Sequence, residues 1–291
     1  MGLSHFFFYN LFMTGKVIYS SGGNYKVKVG DQVFDAKPLG IFRKDNTKII
    51  VGDVVELEVN QGDELNVITK LHERKNEFIR PNISNIDYAI IVTSVKEPKL
   101  NHFYLDKLIY IFQSKDIEPI LLFTKTDLGL EEDIKSILEE YRKAGYKVIE
   151  SANGLTEEGV EQLKEWTKDS FVVITGQTGV GKSTTLNRIK PDLNLKTNEI
   201  SEALGRGKHT TRHSEAFEVF ENTLLVDTPG FSSLELTEED KGHLPHNFMN
   251  FSDYINDCKF NDCKHINEDG CAVKDNVSER TLENYKKMMV E

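Results

Sequence analysis

Three changes of pattern along 291 residues predict a multidomain α/β chain. Short glycine-punctuated β-runs come first, then apolar strands alternating with amphipathic helices, then a tight cysteine–histidine cluster. The length suits two or three cores rather than one. A composition of 38% hydrophobic and 29% charged residues excludes long disordered or collagen-like stretches. The net charge of -11 excludes a globally basic, histone-like protein, so nucleic-acid contact has to use local patches. No stretch approaches the ~20 apolar residues of a membrane helix. The run from Phe6 to Met13 is too short to span and lacks a basic flank and a cleavage site. It reads as an upstream extension, with Met13-Thr14-Gly15-Lys16 as the natural beginning.

Residues 14–72 carry β-runs at Lys16–Tyr19, Tyr25–Val29, Gln32–Phe34, Lys48–Val51 and Val54–Val59. Gly22-Gly23, Gly30-Asp31 and Gly52-Asp53 separate them as turns. Five short strands in so few residues predict a small barrel, with an OB-fold leading and an SH3-like or other small barrel as the alternative. This segment holds 8 Lys+Arg and 8 Asp+Glu, which makes it basic by comparison with the rest. Lys26, Lys28, Arg43, Lys44 and Lys48 could line a nucleic-acid face; solvated surface charge is the other reading.

From Asp87 the period changes. Tyr88–Val92, Pro119–Phe123, Tyr146–Ile149 and Phe171–Ile174 read as buried strands. Helical spacing joins Leu105, Leu108, Ile109 and Phe112, then Ile134, Ile137, Leu138 and Tyr141, then the stretch Val160–Trp166. Gly145 suits the end of the second helix. This alternation predicts a parallel sheet covered on both faces, with ligands at the carboxyl ends of the strands.

Directly after the strand ending at Ile174 comes Gly176-Gln177-Thr178-Gly179-Val180-Gly181-Lys182-Ser183, then a helical run from Thr184. Strand, G-x-x-x-x-G-K-S and helix together are the context of a phosphate-binding loop. Its glycines let backbone N–H groups face phosphates, and the helix dipole favours anions there. Lys182 would reach the β- and γ-phosphates, and the Ser183 hydroxyl would ligate Mg²⁺. Downstream, Leu224-Leu225-Val226-Asp227-Thr228-Pro229-Gly230 puts Asp227 at the end of a buried strand, where it suits Mg²⁺; Gly230 can offer an unhindered N–H to the γ-phosphate.

The strand ending at Phe123 runs into Thr124-Lys125-Thr126-Asp127. A carboxylate there can accept both the N1–H and the exocyclic amino protons of guanine, a pair adenine does not present. Lys125 can lay its stem along the base, and Ser151-Ala152-Asn153 ends the next strand with a backbone N–H for O6. Together these make GTP and GDP the expected ligands.

The three cysteines fall in one window: Cys258, Cys263 and Cys271, with His265 between them. Three thiolates and an imidazole in fourteen residues make a full tetrahedral set for one structural Zn²⁺, with no open position. An odd cysteine count cannot build a disulfide framework and points to a reducing compartment. His243 and His246 lie outside the pattern and read as surface residues, and Glu279 to Met289 reads as a helix docking on the metal module.

The order T-K-T-D, S-A-N, phosphate loop, D-T-P-G resembles a circularly permuted P-loop GTPase domain. With the barrel before it and the cysteine cluster behind, the chain resembles the RsgA/YjeQ family of ribosome small-subunit-dependent GTPases. The likeness includes Arg74-Lys75-Asn76-Glu77-Phe78-Ile79-Arg80-Pro81 and Gly205-Arg206-Gly207-Lys208-His209-Thr210-Thr211-Arg212, which stands as switch I. It implies hydrolysis of GTP to GDP and phosphate, stimulated by the 30S subunit, in late subunit maturation. It further implies contact with 16S rRNA, a cytoplasmic location, a monomer and no membrane partner. The alternative is an rRNA-binding assembly chaperone that nucleotide only stabilises. The implied division is a barrel at 14–72, the GTPase domain at 73–233 and a zinc-binding module with a C-terminal helix at 234–291.

Two positions depart from the family pattern. Thr124 stands where N-K-x-D has Asn, so an amide contact is missing, and Gly179 stands where potassium-dependent relatives carry Asn. Phosphoryl transfer needs positioning, charge neutralisation and a group to orient water. Phe231, after D-T-P-G, cannot orient water, which leaves His209; an RNA-phosphate or structural contact is its other reading. Thr211 is favoured over Thr210 to close on Mg²⁺ and the γ-phosphate. The acidic charge predicts RNA contact at the barrel and zinc module, with the GTPase core facing away.

Overall fold

The computed structural model describes residues 11–60, 65–129, 132–152, 154–193, 215–227, 231 and 234–291. Five strands close the N-terminal barrel: β1 (Leu11–Ser21), β2 (Asn24–Val29), β3 (Gln32–Pro38), β4 (Val54–Val59) and β5 (Asn66–Leu71). A short helix α1 (Gly40–Lys44) lies between β3 and β4. The order is β1-β2-β3-β5-β4, and β1 pairs with β4 to complete the closure, a five-stranded barrel of the OB type. Alternate residues Val17, Val27, Ala36, Val55, Leu57 and Ile68 fill its interior. β1 begins upstream of Met13, with Leu11–Met13 paired to β4.

One expected strand is absent and another takes its place. Lys48–Val51 does not pair as a strand because its main chain is consumed by a turn. The Asp53 carboxylate accepts from Ile50 N at 2.8 Å, and Gly52 N donates to Val17 O at 2.8 Å. Ile49, Ile50 and Val51 are all buried, which alternation would forbid. The fifth strand is instead β5.

A two-stranded hairpin, β6 (Glu77–Phe78) and β7 (Ile83–Ser84), follows the barrel. The buried Asp53 carboxylate accepts from Arg74 Nε at 2.7 Å and Ser84 Oγ at 2.6 Å, stitching hairpin to barrel. Gly52 is obligatory there. Its φ is +94°, and a Cβ would stand 2.0 Å from Ser84 O.

The central sheet comprises β8 (Tyr88–Ser94), β9 (Glu118–Thr124), β10 (Lys147–Glu150), β11 (Phe171–Thr175), β12 (Ala216–Phe220) and β13 (Thr223–Asp227), in the order β10-β9-β8-β11-β13-β12. Helices α2 (His102–Gln113), α3 (Glu132–Lys143), α4 (Glu157–Trp166) and α5 (Lys182–Ile189) connect the parallel strands. The fully parallel expectation fails at one edge: β12 runs antiparallel to β13. A two-residue turn, Glu221-Asn222 with Asn222 at φ +57°, is too short for a crossover and forces a hairpin.

The C-terminal segment contributes α6 (Glu238–Asn247), α7 (Ala272–Asn276) and α8 (Glu279–Val290). Its buried Phe248, Phe251, Cys263, Cys271 and Tyr285 share one apolar core with Leu108, Phe112 and Phe231 of the nucleotide region. α8 docks more widely than expected. Tyr285 Oη donates to Lys264 O at 2.5 Å on the cysteine side. Arg280 Nη1 meets Asp106 of α2 at 2.8 Å, and Arg280 Nη2 meets Glu140 of α3 at 2.9 Å. Burial pushes the Asp106 carboxyl up while Arg280 pulls it down. Among the described residues, no helix is long and apolar enough to cross a membrane.

Candidate functional site

The carboxyl ends of β9, β10, β11 and β13 bring the expected nucleotide motifs together. β11 ends at Thr175, and the main chain turns sharply through Gly176 (φ +142°) and Gly179 (φ +81°). A Cβ on Gly176 would stand 2.1 Å from Val92 O, so only glycine lets the loop pass this close to β8. Gly181 caps α5 in the left-handed region at φ +102°. Helix α5 then starts with Lys182 and buried Ser183, followed by half-buried Thr184. Lys182 Nζ donates to Gly176 O and Gln177 O, each at 2.7 Å, and so lies across the loop. Exposed Thr178 and half-buried Gln177 form the rim, and Val180 turns into the core.

Thr124 stands where the resembled family's motif has asparagine, and it is tied into the phosphate loop. Its buried hydroxyl contacts Val180 O at 2.5 Å and Thr93 O at 3.2 Å, tying the end of β9 to the phosphate loop. Lys125, at φ +58°, sends Nζ to Gly179 O at 2.9 Å and to Glu97 O. Thr126 and Asp127 open a short 3-10 turn, with the Asp127 side chain exposed at the mouth. Thr126 N donates to Ser151 O at 3.2 Å, and Ser151 N to Phe123 O at 2.8 Å, so the two guanine-side loops support each other. Ser151 is buried and Ala152 exposed. Ser151 Oγ has no hydrogen-bond partner among the described residues.

Sequence reasoning missed two supports of this cleft. Gly154, at φ +96°, packs the Ser151–Ala152 loop so near α5 that a Cβ would stand 3.2 Å from Thr184 Cγ2. The end of β8 supplies Thr93 O to Thr124, and the loop after it supplies Glu97 O to Lys125. The signal for the second was Ser94, which ends an apolar strand on the same sheet edge as the recognised motifs. The main chain of Asp227 ends β13 opposite Ile174, one strand from the phosphate loop. Asn153, Gly230, His209, Thr210 and Thr211 lie outside the described residues.

The second site is the cysteine–histidine cluster. The ligand atoms of Cys258, Cys263, His265 and Cys271 all lie within 4.8 Å of one another. His265 Nδ1 is 3.3 Å from Cys271 Sγ and 3.7 Å from Cys258 Sγ. A tetrahedral ion with bonds of about 2.3 Å to sulfur and about 2.0 Å to nitrogen spaces such atoms about 3.5–3.8 Å apart. The four residues therefore fit a metal ion. Burial and the neighbouring Cys271 and Cys258 sulfurs push the Cys263 thiol up to about 12, a penalty that a bound cation reverses.

Glu268, absent from the ligand pattern, organises this site. Its Oε1 accepts from Lys264 N at 2.7 Å, and its Oε2 from Ile266 N and Asn267 N, each at 2.9 Å. Although burial opposes it, these backbone donors hold the carboxyl at about 2. The clasp folds the chain around His265, which sits at φ +58°. Phe251 stands edge-on to the His265 ring at 5.6 Å, and Tyr285 lies 6.4 Å away. His243 and His246 are exposed and are not among the four ligands.

Comparison with known proteins covers the barrel and the nucleotide domain by family models, and nearly the whole chain by relatives. A family model described as RsgA GTPase matches residues 71–237, and one described as RsgA N-terminal domain matches residues 14–66. A protein of Staphylococcus haemolyticus named small ribosomal subunit biogenesis GTPase RsgA is 42% identical over 94% of this chain and 93% of its own length. A Clostridium perfringens protein of the same name is 39% identical over 92% of each chain. The crystal structure of YloQ, described as a circularly permuted GTPase, superposes with a TM-score of 0.81 at 30% identity, covering 99% of this chain and 97% of that one. YjeQ from Thermotoga maritima superposes with a TM-score of 0.78 at 29% identity, covering 96% and 98%. With its barrel, permuted nucleotide domain and cysteine–histidine module, the chain belongs to the RsgA GTPase family.

Proposed function

We propose that the chain hydrolyses GTP to GDP and phosphate when stimulated by the small ribosomal subunit, acting late in that subunit's maturation through rRNA contact. The observation that carries this reading is the convergence of the phosphate loop, Thr124–Asp127 and Ser151–Ala152 on one sheet edge, in a chain whose relatives are named for subunit biogenesis. Asp127 is the guanine-specificity residue, with Lys125 along the base and the Ser151–Ala152 main chain at O6. Gly176 to Thr184 hold the phosphates. Ser183, Asp227 and Thr211 are the residues that would hold Mg²⁺, which when bound neutralises phosphate charge.

Within this reading Lys182 stabilises the transferring phosphoryl group, and Gly230 N–H meets its oxygens. His209 orients the attacking water. His209→Ala then keeps nucleotide affinity and loses stimulated turnover; unchanged stimulated hydrolysis would sink that role. The division at 14–72, 73–233 and 234–291 is one of function, since the last two segments share an apolar core. Cys258, Cys263, His265 and Cys271 would hold one structural Zn²⁺.

Charge narrows the RNA-facing surface. Residues 234–291 carry 7 Lys+Arg against 13 Asp+Glu, so the metal module meets RNA only through a local patch. Lys259, stacked over exposed Phe260 at 5.3 Å, supplies one. On the barrel, Arg43, Lys44 and Lys48 are exposed. Lys28 is not free for RNA, because it is paired inside the molecule.

Steady-state GTP turnover with and without purified small subunits tests the reading. Acceleration by small but not large subunits is expected. A rate indifferent to small subunits, with binding retained, would favour an rRNA chaperone whose hydrolysis is incidental.

A further inference from the structure

The barrel meets the nucleotide domain along two seams. One is the junction hairpin, where Asp53, Arg74 and Ser84 interlock. The other joins segments far apart in the chain. Tyr19 of β1 forms an antiparallel bridge with Glu215, and Lys28 Nζ of β2 reaches Glu218 Oε2 of β12 at 3.2 Å. β12 is the outer strand of the central sheet, and the barrel meets it at its first residues.

The Lys28 side chain is only 12% exposed, turned from solvent into the seam. Glu218 is held on its other side as well. Its Oε1 accepts from Asn222 N at 2.8 Å, and its carbonyl accepts from Lys190 Nζ, just beyond the phosphate-loop helix α5. None of these groups lies among the nucleotide-binding residues. A partly exposed ion pair of this kind adds little to stability. Its location is what matters: β12 pairs with β13, Glu218 opposite Leu224 and Ala216 opposite Val226, and β13 ends at Asp227.

We propose that Lys28 and Glu218 are positioning residues for stimulated GTP hydrolysis, through which the barrel sets where β12, and with it the Asp227 end of the paired β13, is held. The proposal rests on the functional reading above. A small subunit grasping the barrel then has a direct path to the reacting end of the nucleotide domain. By linkage, whatever factor subunit binding adds to nucleotide affinity, the nucleotide adds to subunit affinity. The junction hairpin anchors the barrel in place, and the Lys28–Glu218 pair reports its position.

The test uses the full chain with Lys28→Glu, Glu218→Lys and the double exchange. Each single reversal is expected to lower the stimulated kcat three- to tenfold, with basal turnover and GDP affinity within twofold of the unaltered chain. The double exchange is expected to recover at least half of the stimulated rate. Unchanged stimulation in the single variants overturns the proposal. So does a loss that the exchange does not rescue, which would make Lys28 a direct RNA contact. A parallel fall in basal turnover also overturns it, as general damage. If the unaltered chain shows no stimulation, the functional reading itself fails, and this proposal falls with it.

Discussion

In the nucleotide cleft, the elements that shape the ligand space are chiefly main-chain: the turns at Gly176, Gly179 and Gly181 and the carbonyls that hold Lys182 and Lys125. In the cysteine–histidine module the converging atoms are four side-chain ligands within fourteen residues, three of them buried. A main-chain site depends on backbone angles, so it tolerates side-chain change except where glycine or a tether is required. A side-chain site depends on each ligand, and here its neighbours are part of a core shared with α2. Damage to the first should cost binding, and damage to the second should cost folding.

The largest separation should come from Cys271→Ser set against Lys182→Ala. Cys271→Ser is expected to lose the metal and lower the melting temperature by roughly 10 °C, because the thiol lies in the shared core. Elemental analysis and calorimetry check this. Lys182→Ala should lower nucleotide-free melting by only about 2–4 °C, for the two loop carbonyls it leaves, while GTP affinity falls about a hundredfold, the scale of losing charge-assisted bonds. Gly176→Ala should combine both effects. Its Cβ would stand 2.1 Å from Val92 O, costing about 2–4 kcal/mol in a denaturant titration and abolishing measurable GTP binding.

Smaller changes sharpen the contrast. Thr124→Val removes the hydroxyl that holds Val180 O and should weaken GTP about tenfold, with about 1 kcal/mol lost in stability. Glu268→Gln keeps every metal ligand yet should release metal to a chelator several-fold faster at neutral pH. The Glu268 carboxyl is held at about 2, below the ordinary 4.5. Its stabilisation is therefore full above about pH 4.5 and lost as pH falls toward 2. The stability difference between the unaltered chain and the Gln variant should shrink across that window. His243→Ala, at an exposed position outside the ligand set, should shift stability by less than about 0.5 kcal/mol and leave metal content intact.

Legibility followed how local each feature is. The phosphate loop and the cysteine cluster declare themselves because all their residues are adjacent in sequence, and their spacing is the chemistry. Strand ends such as Thr124 and Ser151 are readable once the sheet is, since ligands gather at that edge. The barrel's strand count was readable too, yet one strand was misplaced. A buried aspartate, Asp53, turned an apolar run into a loop. β12 escaped because hairpin or crossover depends on two turn residues, not on the strand's own pattern. Lys28 looked like any surface lysine, and Glu268 like any loop acid. Their partners, Glu218 on another domain and three N–H groups of one loop, come into reach only in the folded chain. Arg280 likewise meets its carboxylates across long sequence separations.

The proposed function has the small subunit stimulate GTP hydrolysis, and the linked expectation is that nucleotide state sets residence on the subunit. Equilibrium affinity of the metal-loaded full chain for purified small subunits, compared with GDP and with a nonhydrolysable GTP analogue, tests it most directly. Binding at least tenfold tighter with the analogue is the expected result. Equal affinity in the two states would contradict it.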